Sequence, residues 1–429
     1  AIYQEWRGSA HRWSGEDEFF QTVRGVMTEL HGTGVTEKCA ACHEPVSLFS
    51  GHKDPRLGSK SVGYHEGDSC VVCHAARKMD ERGIGSYTLG TPTPYLYERS
   101  ASPLARGVSR FLVRVYPAQH SLDYSLVPAR KPESCAPCHK EYDVVIEQQG
   151  PVQVETQFDD WKQNKWNTDR DPAKRLYCQQ CHMYLKEASE PEFADPYDAR
   201  VGLGRKHRNH DFAAANQYMP RALASPDSEG QIRRVEQWLR GEQKVPEIAK
   251  VWPDGPVIAT GIAVPRDPKP GEESDLQISL TNRKAGHGFP TGPLNIVRAW
   301  LEVTVRDSAG REIFHSGKLD AENHIEDGSY ILKPIAIDPR GNIIMEPDIW
   351  HPKGPRYRPA VEPGKTDTFD YRFRVPRDAH GPLSVQARLR YRKANQFFVD
   401  SVYPGMHRTL PVTDVSSATA IVRLAGEGL

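Results

Sequence analysis

The sequence predicts an α+β, multidomain chain built from two unlike parts. Residues 1–224 read as a loop-rich, mainly helical domain and residues 225–256 as a helical connector and linker. Residues 257–429 read as an antiparallel β-sandwich of immunoglobulin-like type. Three observations carry this reading. A pentapeptide, Cys-x-x-Cys-His, occurs four times, always between residues 39 and 182. The chain around those copies is broken repeatedly by Gly, Pro and polar residues. Period-two alternation of apolar and polar residues begins only after about residue 257.

In the first part, helices are expected over Glu16–Leu30 and Gln157–Trp166. Gly83–Pro132, rich in Pro and Tyr and lacking the pentapeptide, reads as an ordered loop excursion. Ser225-Pro226 supplies an N-cap and a first-turn proline for the connector helix. There Ile232, Val235 and Leu239 recur at helical spacing beside Trp238, and Gly241 ends the run. Pro246, Pro253 and Pro256 mark the boundary. Strands follow at Asp275–Asn282, Ala299–Val305, Thr368–Val375 and Leu383–Tyr391, each with its apolar residues on one face. Asp307–Gly310 and Pro339–Asn342 read as turns between strands.

The pentapeptides are Cys39-Ala-Ala-Cys42-His43, Cys70-Val-Val-Cys73-His74, Cys135-Ala-Pro-Cys138-His139 and Cys178-Gln-Gln-Cys181-His182, and they use all 8 cysteines. On a helix the two cysteines and the histidine of each copy share one face. This is the attachment signature of c-type haem: two thiols join the vinyl groups as thioethers, and the histidine binds the iron. Four-cysteine zinc sites, redox dithiols or disulfides would also employ the cysteines, but none needs a histidine after each pair. The expected cofactors are therefore four haem c groups. Cys39, Cys42, Cys70, Cys73, Cys135, Cys138, Cys178 and Cys181 would hold them, with His43, His74, His139 and His182 as proximal iron ligands.

The second axial position of each iron separates electron transfer from catalysis. Five histidines are candidates for it, four of them expected to serve. His11 follows the aromatic segment Tyr3-Gln-Glu-Trp6. His31 stands in a glycine-loosened loop, and His120 is the lone histidine between the second and third motifs. His210 follows the last motif, with His207 as its alternate at i, i+3 on a helix. His287 lies in Gly286-His287-Gly288-Phe289-Pro290-Thr291-Gly292, where flanking glycines allow close approach to a flat partner. All four irons are expected to be bis-histidine and low-spin. No acid–base cluster accompanies them, and no catalytic residue is predicted.

Composition narrows the function further. The 56 basic and 56 acidic residues cancel, which argues against nucleic acid and anionic membranes as partners. No apolar run reaches the roughly 18 residues of a membrane span. The chain begins at Ala1 without a signal peptide and reads as the mature form of an exported protein, extracellular or periplasmic.

Residues 1–220 resemble multihaem c-type cytochromes of the tetrahaem nitrification-cytochrome superfamily. The resemblance rests on Tyr3-Gln-Glu-Trp6…Ser9-Ala-His11, the four motifs, the Trp161 segment, Cys178-Gln-Gln-Cys181-His182-Met183 and His210-Asp-Phe212. The His287 stretch with its following strands is similar to the β-domain often appended to such proteins. The resemblance implies stacked haem pairs, mostly bis-histidine irons and, in some relatives, extracellular tetrahaem filaments. The sequence departs from the family in having no histidine between His139 and His182. The function expected is electron transfer without enzymatic activity. Its partners would be other redox proteins or extracellular electron acceptors, with self-association into a head-to-tail homopolymer. The alternative is a multihaem oxidoreductase with one five-coordinate haem acting on a small nitrogen or sulfur compound.

Overall fold

The computed structural model describes residues 2–52, 54–91, 93–116, 123–124, 127–143, 152–187, 206–225, 227–265, 267–292, 296–332, 335–337, 353–357 and 360–426. The chain forms two compact units. One comprises Ala10–Tyr142 with Tyr177–Gln179, and the other comprises Ala1–Ser9, Asp143–Leu176 and Gln180–Leu429. Among the described residues, no helix is long and apolar enough to cross a membrane.

In the first unit the helix Glu18–His31 starts two residues later than the sequence suggests, because Asp17 is its N-cap and accepts a hydrogen bond from the Phe19 amide at 2.9 Å. It buries Phe19, Val23 and Met27 and packs against the helix Thr33–His43, which ends in the first motif. His31 is the last residue of that helix, not part of a loop. A buried ion pair, Arg24 Nη1 to Glu44 Oε2 at 2.6 Å, stands behind these helices. Gln21 adds a hydrogen bond to the same carboxylate at 2.9 Å.

The excursion Gly83–Pro132 is not all loop. Pro103–Val115 is a helix whose N-cap Ser102 accepts from the Ala105 amide at 3.5 Å. Leu104, Val108, Phe111 and Val115 recur at helical spacing on it, yet all four are exposed. The Pro- and Tyr-rich flanks hid that period in the sequence.

In the second unit the expected helix Gln157–Trp166 is broken. Gln157–Gln163 ends at Asn164, whose side chain accepts from the Trp166 amide at 2.8 Å and starts Lys165–Thr168. The connector helix runs Ser228–Arg240 with Asp227 as N-cap, two residues beyond Ser225. It stops at Gly241, which is left-handed at φ 69° and lies against the Gly255 carbonyl, where a Cβ would come within 1.6 Å.

Two antiparallel sheets share one core. The larger has the order Glu312–Ser316, Arg298–Arg306, Leu383–Arg392, Thr413–Val422, with Ile331–Leu332 also paired to Arg298–Arg306. The smaller has Glu273–Asn282 between Thr366–Arg374 and Ile258–Ala263. All four strands read from the alternation are present, with ends shifted by two residues or fewer. Leu276, Ile278 and Leu280 of the smaller sheet meet Leu301, Val303 and Val385 of the larger, and Val235 and Leu239 of the connector helix join the same core. Arg298–Arg306 is buried on both faces, because Arg388 and Arg390 cover Glu302 on the outer one. Pro339–Asn342 lies outside the described residues. Ile278 has no exposed surface. Ile278→Val is therefore expected to cost about 0.5–1.5 kcal/mol, read from the denaturant midpoint of the intact chain at constant slope.

Candidate functional site

Each Cys-x-x-Cys-His closes a helix that ends at its histidine: Thr33–His43, Cys70–His74, Ala136–His139, where Cys135 is the N-cap, and Cys178–His182. All eight cysteines are free of disulfides. Burial pushes the Cys39 and Cys181 thiols up to about 12 and raises Cys73 further still. Cys135 shifts the other way, lowered by its interaction with Cys178. Among the described residues no group of three or more His, Cys, Asp or Glu side chains could hold a metal ion.

Within the first unit the motifs crowd together. The Cys42 thiol donates to the Pro137 carbonyl of the third motif at 3.8 Å. Cys42 lies near enough to Cys138, and Cys178 to Cys135, to shift its partner's ionisation. The Gly85 amide donates to the Pro137 carbonyl at 2.8 Å, and a Cβ on Gly85 would lie 2.3 Å from that of Ala41. Tyr87 reaches the Ala41 carbonyl at 2.7 Å. The first and third motifs thus touch, and Cys178 of the fourth reaches the third.

The motif histidines are aimed by their Nδ1 atoms. Nδ1 of His43 meets the Ser14 carbonyl at 3.2 Å, that of His74 the Tyr124 carbonyl at 2.8 Å, and that of His182 the Ala213 carbonyl at 3.1 Å. A carbonyl only accepts, so Nδ1 donates and Nε2 is the nitrogen left for a metal. His287 and His210 repeat the pattern, at 3.1 Å to the Gly288 carbonyl and 2.7 Å to the Arg208 carbonyl. Phe20 stacks on the His43 ring at 3.9 Å and fixes its plane.

Two candidate distal histidines face motif histidines. The His11 and His139 ring centres are 6.2 Å apart in the first unit. Those of His182 and His287 are 6.3 Å apart in the second, with ring planes 13° from parallel. A metal–imidazole bond is about 2 Å and the ring centre lies about 1 Å beyond, so two rings on one metal stand roughly 6 Å apart. Both separations are of the size that two imidazoles on one metal require.

The other candidates stand as follows. His31 is half-buried at its helix end, and His120 lies outside the described residues. His207 is not helical with His210. It lies in the strand Lys206–Arg208, buried, with Nε2 3.1 Å from Glu5 Oε1. Burial acts to raise the Glu5 carboxyl, but the His210 amide, Lys186 and His207 outweigh it and the carboxyl is lowered. Glu5 therefore fastens the His207–His210 segment and occupies Nε2 of His207.

The His287 loop is held by Asp160 and Asn164, which the sequence did not single out. Asn164 donates to the Gly286 carbonyl at 2.5 Å, and the Gly288 amide donates to Asp160 Oδ2 at 3.0 Å. Trp161 and Trp166 lie against Gly286, where a Cβ would meet them at 3.5 and 3.7 Å. Trp238 stands 5.5 Å from the His182 ring and 5.4 Å from Trp252. Four of the 8 tryptophans thus gather at the fourth motif, a clustering in space that sequence spacing does not display.

No protein-family model and no curated protein matches the chain. Among solved structures, the penta-haem cytochrome c552 from Thermochromatium tepidum is similar over 98% of this chain and 96% of its own, at 15% identity and a TM-score of 0.55. The chain therefore has a multihaem cytochrome fold, with four attachment motifs where that protein's name gives five haems. A CARDB domain from Pyrococcus furiosus (8% identity, 39% of this chain and 87% of that one, TM-score 0.18) bears no weight. Nor does Spo0M, a sporulation control protein from Bacillus subtilis (10% identity, 40% and 50%, TM-score 0.16).

Proposed function

We propose that this chain carries electrons through four covalently attached c-type haems and catalyses no reaction of its own. The observation that carries this reading is the two pairs of neighbouring histidines, 6.2 and 6.3 Å between ring centres, each pair containing one motif histidine. Histidine on both sides closes an iron to substrate and favours electron transfer with little rearrangement. In this reading His11 is the sixth ligand at His139 and His287 the sixth ligand at His182. His43 and His74 draw theirs from His31, His120 and His210. Kinship with the tetrahaem nitrification cytochromes, an immunoglobulin-like topology for residues 257–429, domain limits at 224 and 256, and export belong to the same proposal. Mass spectrometry of the denatured chain tests it: four haem additions are expected, and a haem-free chain ends the reading.

Head-to-tail assembly is the second part of the proposal. The approach of His11 to His139 favours closure of that site within one chain, so a ligand passed to a neighbour's iron would come from elsewhere. Electron microscopy of native material is expected to show filaments. Single particles at high concentration would remove this part and leave the electron carrier intact.

A further inference from the structure

Lys284 is 3% exposed, and among the described residues no salt bridge joins it to a carboxylate. Asp254, the carboxylate whose charge reaches it most strongly, is itself paired with Lys244 at 2.6 Å. A lysine placed this way is costly, since burial disfavours its charge. Desolvation pulls its pKa down to about 8, which still leaves it mostly protonated at neutral pH. The side chain is nevertheless built firmly into place. Nζ donates to the Gly255 carbonyl at 2.9 Å and sits 3.7 Å from the centre of the Trp252 ring. The Lys284 carbonyl in turn accepts from Trp252 Nε1 at 3.1 Å.

This cation belongs to the surroundings of the fourth motif. Trp252 packs on Trp238, and Trp238 on His182. The charge of Lys284 is felt at Cys181, the thioether cysteine beside that histidine, where it opposes the stronger influence of Glu247, itself paired with Arg208 at 2.7 Å. A fixed positive charge near a haem favours the form with one more electron, and nearby charge and burial are among the levers that set haem potentials.

We infer that Lys284 is a tuning residue that raises the reduction potential of the haem at Cys178–His182 above what a neutral side chain would give. This rests on the haem reading above, and the test separates the two. Haem content and low-spin fraction are measured first on the loaded full-length protein, and absence of the fourth haem overturns the underlying reading. With four haems present, Lys284→Gln is expected to lower one of the four midpoints in a spectroelectrochemical titration while the other three stay fixed. The expected size is about tenfold in the reduced-to-oxidised ratio, or about 59 mV for one electron. Lys284→Arg, which keeps the charge, is expected to restore the wild-type midpoint. If the glutamine variant does not load its fourth haem, Lys284→Met serves the same comparison. A neutral variant that titrates with the wild type, its haems low-spin and its thermal midpoint merely lowered, would make Lys284 a packing residue and overturn the inference.

Discussion

Replacing His287 with alanine is expected to convert one haem of the four from low-spin to high-spin. The change should appear as a new high-spin signal in electron paramagnetic resonance and as newly acquired carbon monoxide binding by the reduced protein. The other three haems should keep their spectra, because His287 stands 6.3 Å from His182 and serves no other motif in this reading. His11→Ala should do the same at His139. A His287→Ala protein that stays wholly low-spin would mean that another ligand fills that iron, and the pairing would fall. These substitutions should have the largest spectroscopic effects available in the chain, since each empties a metal coordination position.

Arg24→Met is expected to have the largest effect on stability. Arg24 and Glu44 are both almost fully buried and 2.6 Å apart. Removing the cation leaves an enclosed carboxylate that keeps its hydrogen bond from Gln21. Breaking such a pair from one side costs about 3–5 kcal/mol. Chemical denaturation of the loaded protein should show the loss. Arg24→Met with Glu44→Leu should recover much of it, since a buried pair is often replaceable by apolar residues. Glu44 directly follows His43, so the single variant should also disturb loading of the first haem.

Much of this was legible before the fold was. Haem attachment follows from a contiguous motif, and the strands at Glu273–Asn282 and Leu383–Arg392 follow from alternation that only a half-buried sheet selects. His287 was readable as a candidate because its glycine neighbours leave room for a flat group. Its partner was not readable, since nothing in the sequence says that a loop of the β region meets the fourth motif. The Asp160 and Asn164 contacts that bring it there join residues more than a hundred positions apart. The helix Pro103–Val115 was missed although its N-cap and spacing were present, because composition outweighed period in reading Gly83–Pro132. His207 was misplaced for the opposite reason: i, i+3 spacing suggests a helix, but its partner is Glu5, near the start of the chain.

The two facing histidine pairs also have a topological meaning. An iron bound between His182 and His287 ties together points roughly 100 residues apart, and one between His11 and His139 closes a loop of similar length. A cross-link over such a span removes conformational freedom from the unfolded chain by an amount comparable to a disulfide, about 4–5 kcal/mol in the chain-entropy model. In the proposed reading all eight cysteines hold haem and none is left for a disulfide. The axial bonds at His182 and His139 would take that place, so each of these two redox centres would also be a clasp. Resistance to unfolding and to proteolysis would then be acquired at the moment of haem insertion.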